Sequence, residues 1–221
     1  LSPSNYIIHQ CSNPDCRFRF PVPPGVPRPI RCPHCGSHCE PAAVPAQPPT
    51  GNPRAANPPG PEVAALLDNI RSSYNVGSMF RTADGAGLSC LHLAGTTPTP
   101  EHHGVAKTSL GAEFSVPWEY HRNGLEAAQQ LKDAGYQLWA LEVGSQSVPL
   151  FEALPAPDNP PILLVVGNEV AGIDPGILAI CDRFIWIPMQ GFKRSLNVAT
   201  AFGVAAYHLR WSHRVPAASQ H

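Results

Sequence analysis

Cations, a hydroxyl and an amide crowd the stretch Ile185-Trp186-Ile187-Pro188-Met189-Gln190-Gly191-Phe192-Lys193-Arg194-Ser195-Leu196-Asn197-Val198-Ala199. It passes from a short apolar strand, through a Pro/Gly-bearing loop, into the head of an apolar helix, where orphan helix N–H groups and polar side chains converge. That suits a small polar ligand; the plain alternative is an N-capped helix, with Ser195 or Asn197 supplying the cap. Two further segments carry related chemistry. Asn69-Ile70-Arg71-Ser72-Ser73-Tyr74-Asn75-Val76-Gly77-Ser78-Met79-Phe80-Arg81-Thr82-Ala83-Asp84-Gly85-Ala86-Gly87 sets Arg81 six residues after Asn75 in a helix-like run of small and apolar residues. Leu164-Val165-Val166-Gly167-Asn168-Glu169-Val170-Ala171-Gly172-Ile173 puts Gly167 directly after an apolar run, where the missing Cβ lets backbone approach a ligand. Glu169 follows in the turn. Lys107, Lys193 and Arg194 are candidate phosphate contacts or solvated surface cations, and His102-His103 reads as a pair of surface residues on a loop.

A different chemistry opens the chain. Cys11, Cys16, Cys32 and Cys35 form a C-x4-C-x15-C-x2-C pattern with Cys39 close behind. Four thiolates in two pairs suit tetrahedral zinc, and a segment this short needs a metal to supplement its small core. Cys32-Pro33-His34-Cys35-Gly36 has the form of a zinc-ribbon knuckle, whereas the first pair departs from a two-residue gap. Cys39, His34 and His38 are therefore alternative ligands. Cys90 and Cys181 lie among apolar residues and read as core fillers. Arg17-Phe18-Arg19-Phe20 alternates with strand period, which predicts two guanidiniums on one face and two rings on the other, either toward RNA or simply solvated.

The elements that must hold these residues are of the α/β type. Strands are predicted at Val63–Leu67, Ser89–Leu93, Tyr136–Val143, Ile162–Val166 and Phe184–Ile187, and helices at Val76–Gly87, Leu125–Ala134 and Leu196–Arg210. Eight of the 27 prolines fall between Pro41 and Pro61. That composition cannot bury a face and predicts a stiff linker. The expected organisation is a zinc-ribbon-like segment at 1–40, a proline-rich linker at 41–61 and a catalytic domain at 62–221. With 43% hydrophobic residues the chain can pack a core, and no apolar run approaches the ~20 residues of a membrane helix. Nor does a basic start precede an apolar run, so a cytoplasmic location is expected. The net charge of −1 does not advertise a nucleic-acid binder, so any contact with a nucleic acid must rest on a local patch, shape or base recognition.

In order and spacing, the three segments resemble the motifs of the SpoU (TrmH-type) RNA ribose 2′-O-methyltransferases of the SPOUT superfamily, over about Glu62 to Trp211. The resemblance implies a C-terminal trefoil knot where topology rules alone would draw an unknotted doubly wound sheet. It also implies a homodimer, bound S-adenosylmethionine, and methyl transfer to a ribose 2′-hydroxyl of tRNA or rRNA. By the same resemblance Gly167, Ile187 and Leu196 contact the cofactor, and Arg81 activates the hydroxyl. An arginine, with a pKa above about 12, is a poor general base, so gripping the phosphate and polarising the hydroxyl is the physically preferred role. Asn75, Glu169, Ser195 and Asn197 are candidates for catalysis or for structural support of it. The alternative function is a noncatalytic RNA-binding or assembly protein with the same fold. A dinucleotide oxidoreductase is disfavoured, because no Gly-x-Gly-x-x-Gly turn follows Val63–Leu67.

Overall fold

Three short antiparallel strands, Ile7–Cys11 (β1), Arg19–Val22 (β2) and Cys39–Ala43 (β3), make a sheet in the order β2-β1-β3. These come from a computed structural model that describes residues 6–45, 60–144, 146–155 and 160–212. The chain divides into two compact units, Leu1–Ala55 and Ala56–His221. In the first, Cys11, Cys32 and Cys39 are buried together with Val22 and Ile30, a core far too small to stand without a staple. Its third strand runs on to Ala43, and most of the proline-rich stretch, residues 46–59, lies outside the described residues. The strand predicted over Arg17–Phe20 begins only at Arg19. Arg17 has φ of 47°, in the left-handed region of a turn, so the two arginines do not share a strand face.

The second unit runs β4 (Val63–Asp68), α1 (Ser73–Ala86), β5 (Leu91–Ala94), α2 (His103–Ser109), β6 (Trp118–His121), α3 (Gly124–Asp133), β7 (Gln137–Leu141), β8 (Val148–Pro149), β9 (Ile162–Val166), α4 (Pro175–Ile180), β10 (Arg183–Trp186) and α5 (Val198–Trp211). Its seven strands pair in parallel throughout, in the order β6-β5-β4-β9-β7-β10-β8. β4 and β9 lie side by side and are buried at every residue, as unbroken apolar runs covered on both faces should be. Alternation then sorts them. Val63, Ala65 and Leu67 face a core shared with Phe80 of α1 and Phe202 of α5. Ala64 and Leu66 face one shared with Ala128 of α3 and Ile177 of α4. Among the described residues no helix is long and apolar enough to cross a membrane.

Two differences from the sequence expectation bear on the site. Helix α1 starts at Ser73 rather than Val76 because Ser72 caps it: the Ser72 hydroxyl accepts from the Asn75 N–H at 3.3 Å. Asn75 is therefore inside the first turn, with its amide free for other partners. The stretch around His102 and His103 is not a loop. His102 caps α2 through Nδ1, which accepts from the Gly104 N–H at 3.1 Å.

Helices α1 and α2 touch through Gly77. A Cβ there would run into the Val105 carbonyl and the Thr108 hydroxyl. Gly77→Ala should consequently destabilise the protein by about 1–3 kcal/mol, the usual cost of overpacking. A lowered urea midpoint with unchanged slope is the expected reading, and an unchanged midpoint would mean that α2 shifts freely.

Candidate functional site

The carboxyl ends of β7, β9 and β10 open onto a cavity of 340 Å³, within the ~300–1,000 Å³ of small-ligand sites. Leu141 ends β7, Gly167 follows β9, Ile187 follows β10, and Ser195, Leu196 and Asn197 close the cavity from the approach to α5. Ile187 also packs against the main core, so it is at once wall and core residue. Gly167 is there for a steric reason. A Cβ on it would collide with the backbone of Gly172 and Ile173, where the chain folds back over the end of β9. Asn168 and Gly172 close that fold-back by exchanging two backbone hydrogen bonds, of 3.0 and 2.9 Å.

Glu169 stands on this turn and reaches the start of α1. Its carboxylate accepts from the Arg71 N–H at 2.9 Å, the Ser72 N–H at 3.2 Å and the Asn75 side-chain amide at 2.9 Å. A carboxylate at a helix N-terminus is also favoured by the helix dipole. Partial burial opposes its ionisation, but the donated hydrogen bonds outweigh that and hold its pKa below the ordinary glutamate value. The contribution of this contact is thus complete above the unfolded-state pKa and is lost as pH falls through the lower folded value. Asn75 passes the connection on, its carbonyl oxygen accepting from the Asn197 amide at 3.1 Å. Asn197 in turn caps α5, accepting from the Ala199 and Thr200 N–H groups at 2.9 and 3.3 Å. Two of the helix N–H groups expected to greet a ligand are therefore satisfied by this cap, and Asn197, not Ser195, is the capping residue.

In the first unit, the sulfurs of Cys11, Cys16, Cys32 and Cys35 all lie within 4.8 Å of one another. Cys11 and Cys35 are 3.5 Å apart and Cys16 and Cys32 are 3.8 Å apart. Tetrahedral ligation with zinc–sulfur bonds of ~2.3 Å requires sulfurs about 3.8 Å apart, so the four suit that ion. Cys39 is buried in the neighbouring apolar cluster and is not one of the four.

Residues 62–207 match the family model for the SpoU rRNA Methylase family. The chain belongs to that family. It is 34% identical over 149 residues to the 23S rRNA (guanosine(2553)-2′-O)-methyltransferase RlmP of Bacillus subtilis, covering 66% of this chain and 56% of the relative. It is 30% identical to a tRNA (guanosine(18)-2′-O)-methyltransferase of Aquifex aeolicus, covering 66% and 67%. The AdoMet-bound rRNA methyltransferase from Sinorhizobium meliloti superposes with a TM-score of 0.64 at 28% identity, covering 73% of this chain and 60% of that one. The chain spans about half the length of several curated relatives it matches.

Within this SpoU fold the three motifs meet, with one exception. Gly167, Glu169, Ile187, Ser195, Leu196 and Asn197 line the cavity, and Asn75 is tied to it through Glu169 and Asn197. Arg81 is elsewhere. It is exposed, and lines a separate cleft with Asp84, Ser109, Leu110 and Ser115. Among the described residues it makes neither an ion pair nor a side-chain hydrogen bond, and its cleft shares no lining residue with the cavity, so neither Glu169 nor Ser195 holds it within one chain. Asn168 is an organising residue that lies outside the sequence-predicted set. Its amide donates to the Asn69 carbonyl at 2.7 Å, and its side-chain oxygen accepts from the Val170 and Ala171 N–H groups at 2.9 and 3.0 Å. An asparagine straight after a strand-ending glycine is an ordinary signal for such a turn.

Proposed function

We propose that this chain transfers a methyl group from S-adenosylmethionine to a ribose 2′-hydroxyl of tRNA or rRNA. The observation that carries this reading is the hydrogen-bond chain Glu169–Asn75–Asn197, which joins three motifs separated by 94 and 122 residues beside one cavity. The activities in the names of the RlmP and Aquifex relatives, and the AdoMet bound to the Sinorhizobium enzyme, support it.

When bound, S-adenosylmethionine supplies the sulfonium methyl. Gly167 gives it a backbone surface without a Cβ, and Ile187 and Leu196 give apolar walls for an adenine. Glu169 is a poor general base: its pKa is held low and its oxygens are already engaged by three donors. We assign Glu169, Asn75 and Asn197 to positioning, keeping the turn after β9 and the start of α5 in register. Ser195, which makes no side-chain hydrogen bond among the described residues, is left to meet substrate. Arg81 is assigned to the RNA phosphate and the reacting hydroxyl, where a fixed fork of N–H donors can orient the oxygen and favour its deprotonation.

Because Arg81 and the cavity belong to separate clefts of one chain, a second copy is the means of uniting them. The homodimer implied by the family resemblance is therefore part of this reading. So is the trefoil knot, which rests on membership of the family and is compatible with a sheet in which β9 lies between β4 and β7 and β10 between β7 and β8. We also infer one zinc on Cys11, Cys16, Cys32 and Cys35, holding a head that adds RNA affinity or selectivity, and a cytoplasmic site of action on RNA.

The test is to incubate the full chain with labelled S-adenosylmethionine and total RNA from cells lacking the gene. Label is expected at ribose positions that become resistant to alkaline cleavage. Cofactor binding without transfer to any RNA would favour the noncatalytic reading.

A further inference from the structure

The edge of the sheet farthest from the cofactor cavity carries a cluster that methyl transfer does not use. His92 lies on β5, and Glu119 and His121 lie two residues apart on β6, the edge strand. His92 is in parallel register with Glu119, so all three side chains leave one face of the sheet. β6 and β9 are three strand spacings apart, about 14 Å. The cluster is thus distinct from the site at the ends of β7, β9 and β10.

The distances point to a shared ligand. His92 Nδ1 and His121 Nε2 are 2.9 Å apart, a hydrogen bond in which the tautomers decide which ring donates. Glu119 Oε2 lies 3.9 Å from the first and 3.8 Å from the second. Those two separations are too long for hydrogen bonds, and nearly equal. A carboxylate serving as an acceptor would close on one imidazole; this one stands off both. The point in the plane of the three atoms and equidistant from them lies about 2.1 Å from each, the length of a zinc–imidazole or zinc–carboxylate bond. Tetrahedral ligation at that length needs donors about 3.4 Å apart, so on binding the two rings would exchange their hydrogen bond for the ion and part by about 0.5 Å.

We propose that His92, Glu119 and His121 form a second metal site, taking a zinc-class divalent transition ion with one coordination position left to water. The donor set is two neutral imidazoles and a carboxylate, which suits zinc and its neighbours rather than calcium or magnesium. His92 is buried, whereas the Glu119 side chain is 66% exposed, giving the ion a path in from solvent and an open side once bound. The ion would clamp a four-residue edge strand to its neighbour. This inference stands independently of the methyl-transfer reading.

Cobalt(II) is the probe, because its spectrum separates the two candidate sites. Thiolate-bound cobalt gives a sulfur-to-metal charge-transfer band in the near ultraviolet, while nitrogen- and oxygen-bound cobalt gives only the weaker visible bands. Titrating the full chain should reveal one nitrogen/oxygen-ligated ion whatever the cysteines hold. Glu119→Gln, at an exposed position, and His121→Asn, at a partly buried one, should each weaken that ion at least about tenfold, with unchanged circular dichroism and unchanged thiolate bands. Absence of a nitrogen/oxygen-ligated ion from the unaltered chain, or its equal binding by both variants, would overturn the proposal.

Discussion

Alanine in place of Arg81 is expected to lower methyl transfer by about 10²–10³-fold, the usual loss when a donor aimed at developing charge is removed. Cofactor affinity and unfolding midpoint should hardly change, since Arg81 is exposed and lines a cleft apart from the cavity. Lysine should not restore activity, because a point charge lacks the guanidinium's fixed fork. The decisive measurement is single-turnover transfer at saturating cofactor, alongside calorimetric titration with S-adenosylhomocysteine. Activity within a few-fold of the unaltered chain would remove Arg81 from the reacting hydroxyl.

Gly167→Ala should act at the other half of the chemistry. Its Cβ would meet backbone, not a flexible side-chain end, at Gly172 and Ile173. The turn after β9 must then lift, taking Glu169 away from its partners at the start of α1. Overpacking of this kind costs about 1–3 kcal/mol, and each ~1.4 kcal/mol that falls on the bound state is tenfold in affinity. The expected result is S-adenosylhomocysteine binding at least about tenfold weaker, with a lowered urea midpoint. Full affinity would show that the turn does not shape the cavity. The two variants also test the proposed dimer. Mixed and allowed to exchange subunits, Arg81→Ala and Gly167→Ala chains should regain a fraction of activity if one copy's Arg81 serves the other's cavity. No recovery, with exchange demonstrated, would confine both residues to the same copy's reaction.

Much of this protein can be read along the chain where a residue's neighbours are local. Val63–Leu67 and Ile162–Val166 announce buried strands because a strand covered on both faces needs no polar alternation, whichever strands lie beside it. The paired cysteines announce their convergence because two short spacings and a small segment leave few ways to arrange four thiols. The order Asn75…Arg81, Gly167…Glu169, Ser195…Asn197 was enough to place the chain in its family.

Elements whose stability comes from their surroundings were not legible. Trp118–His121 is an edge strand with little burial, so it lacks an apolar run, and its pairing with β5 alone makes it a strand. Helix α2 depends on the His102 cap and on close packing against Gly77, which look like loop chemistry in sequence. The sharing of Asn75 between Glu169 and Asn197, the separation of Arg81 from the cavity, and the facing of His92 toward Glu119 and His121 were all decided by tertiary structure. Periodicity within a segment determines which side chains share a face. Which faces meet across a hundred residues depends on the order of strands in the sheet, and that order is set by the packing of the whole domain.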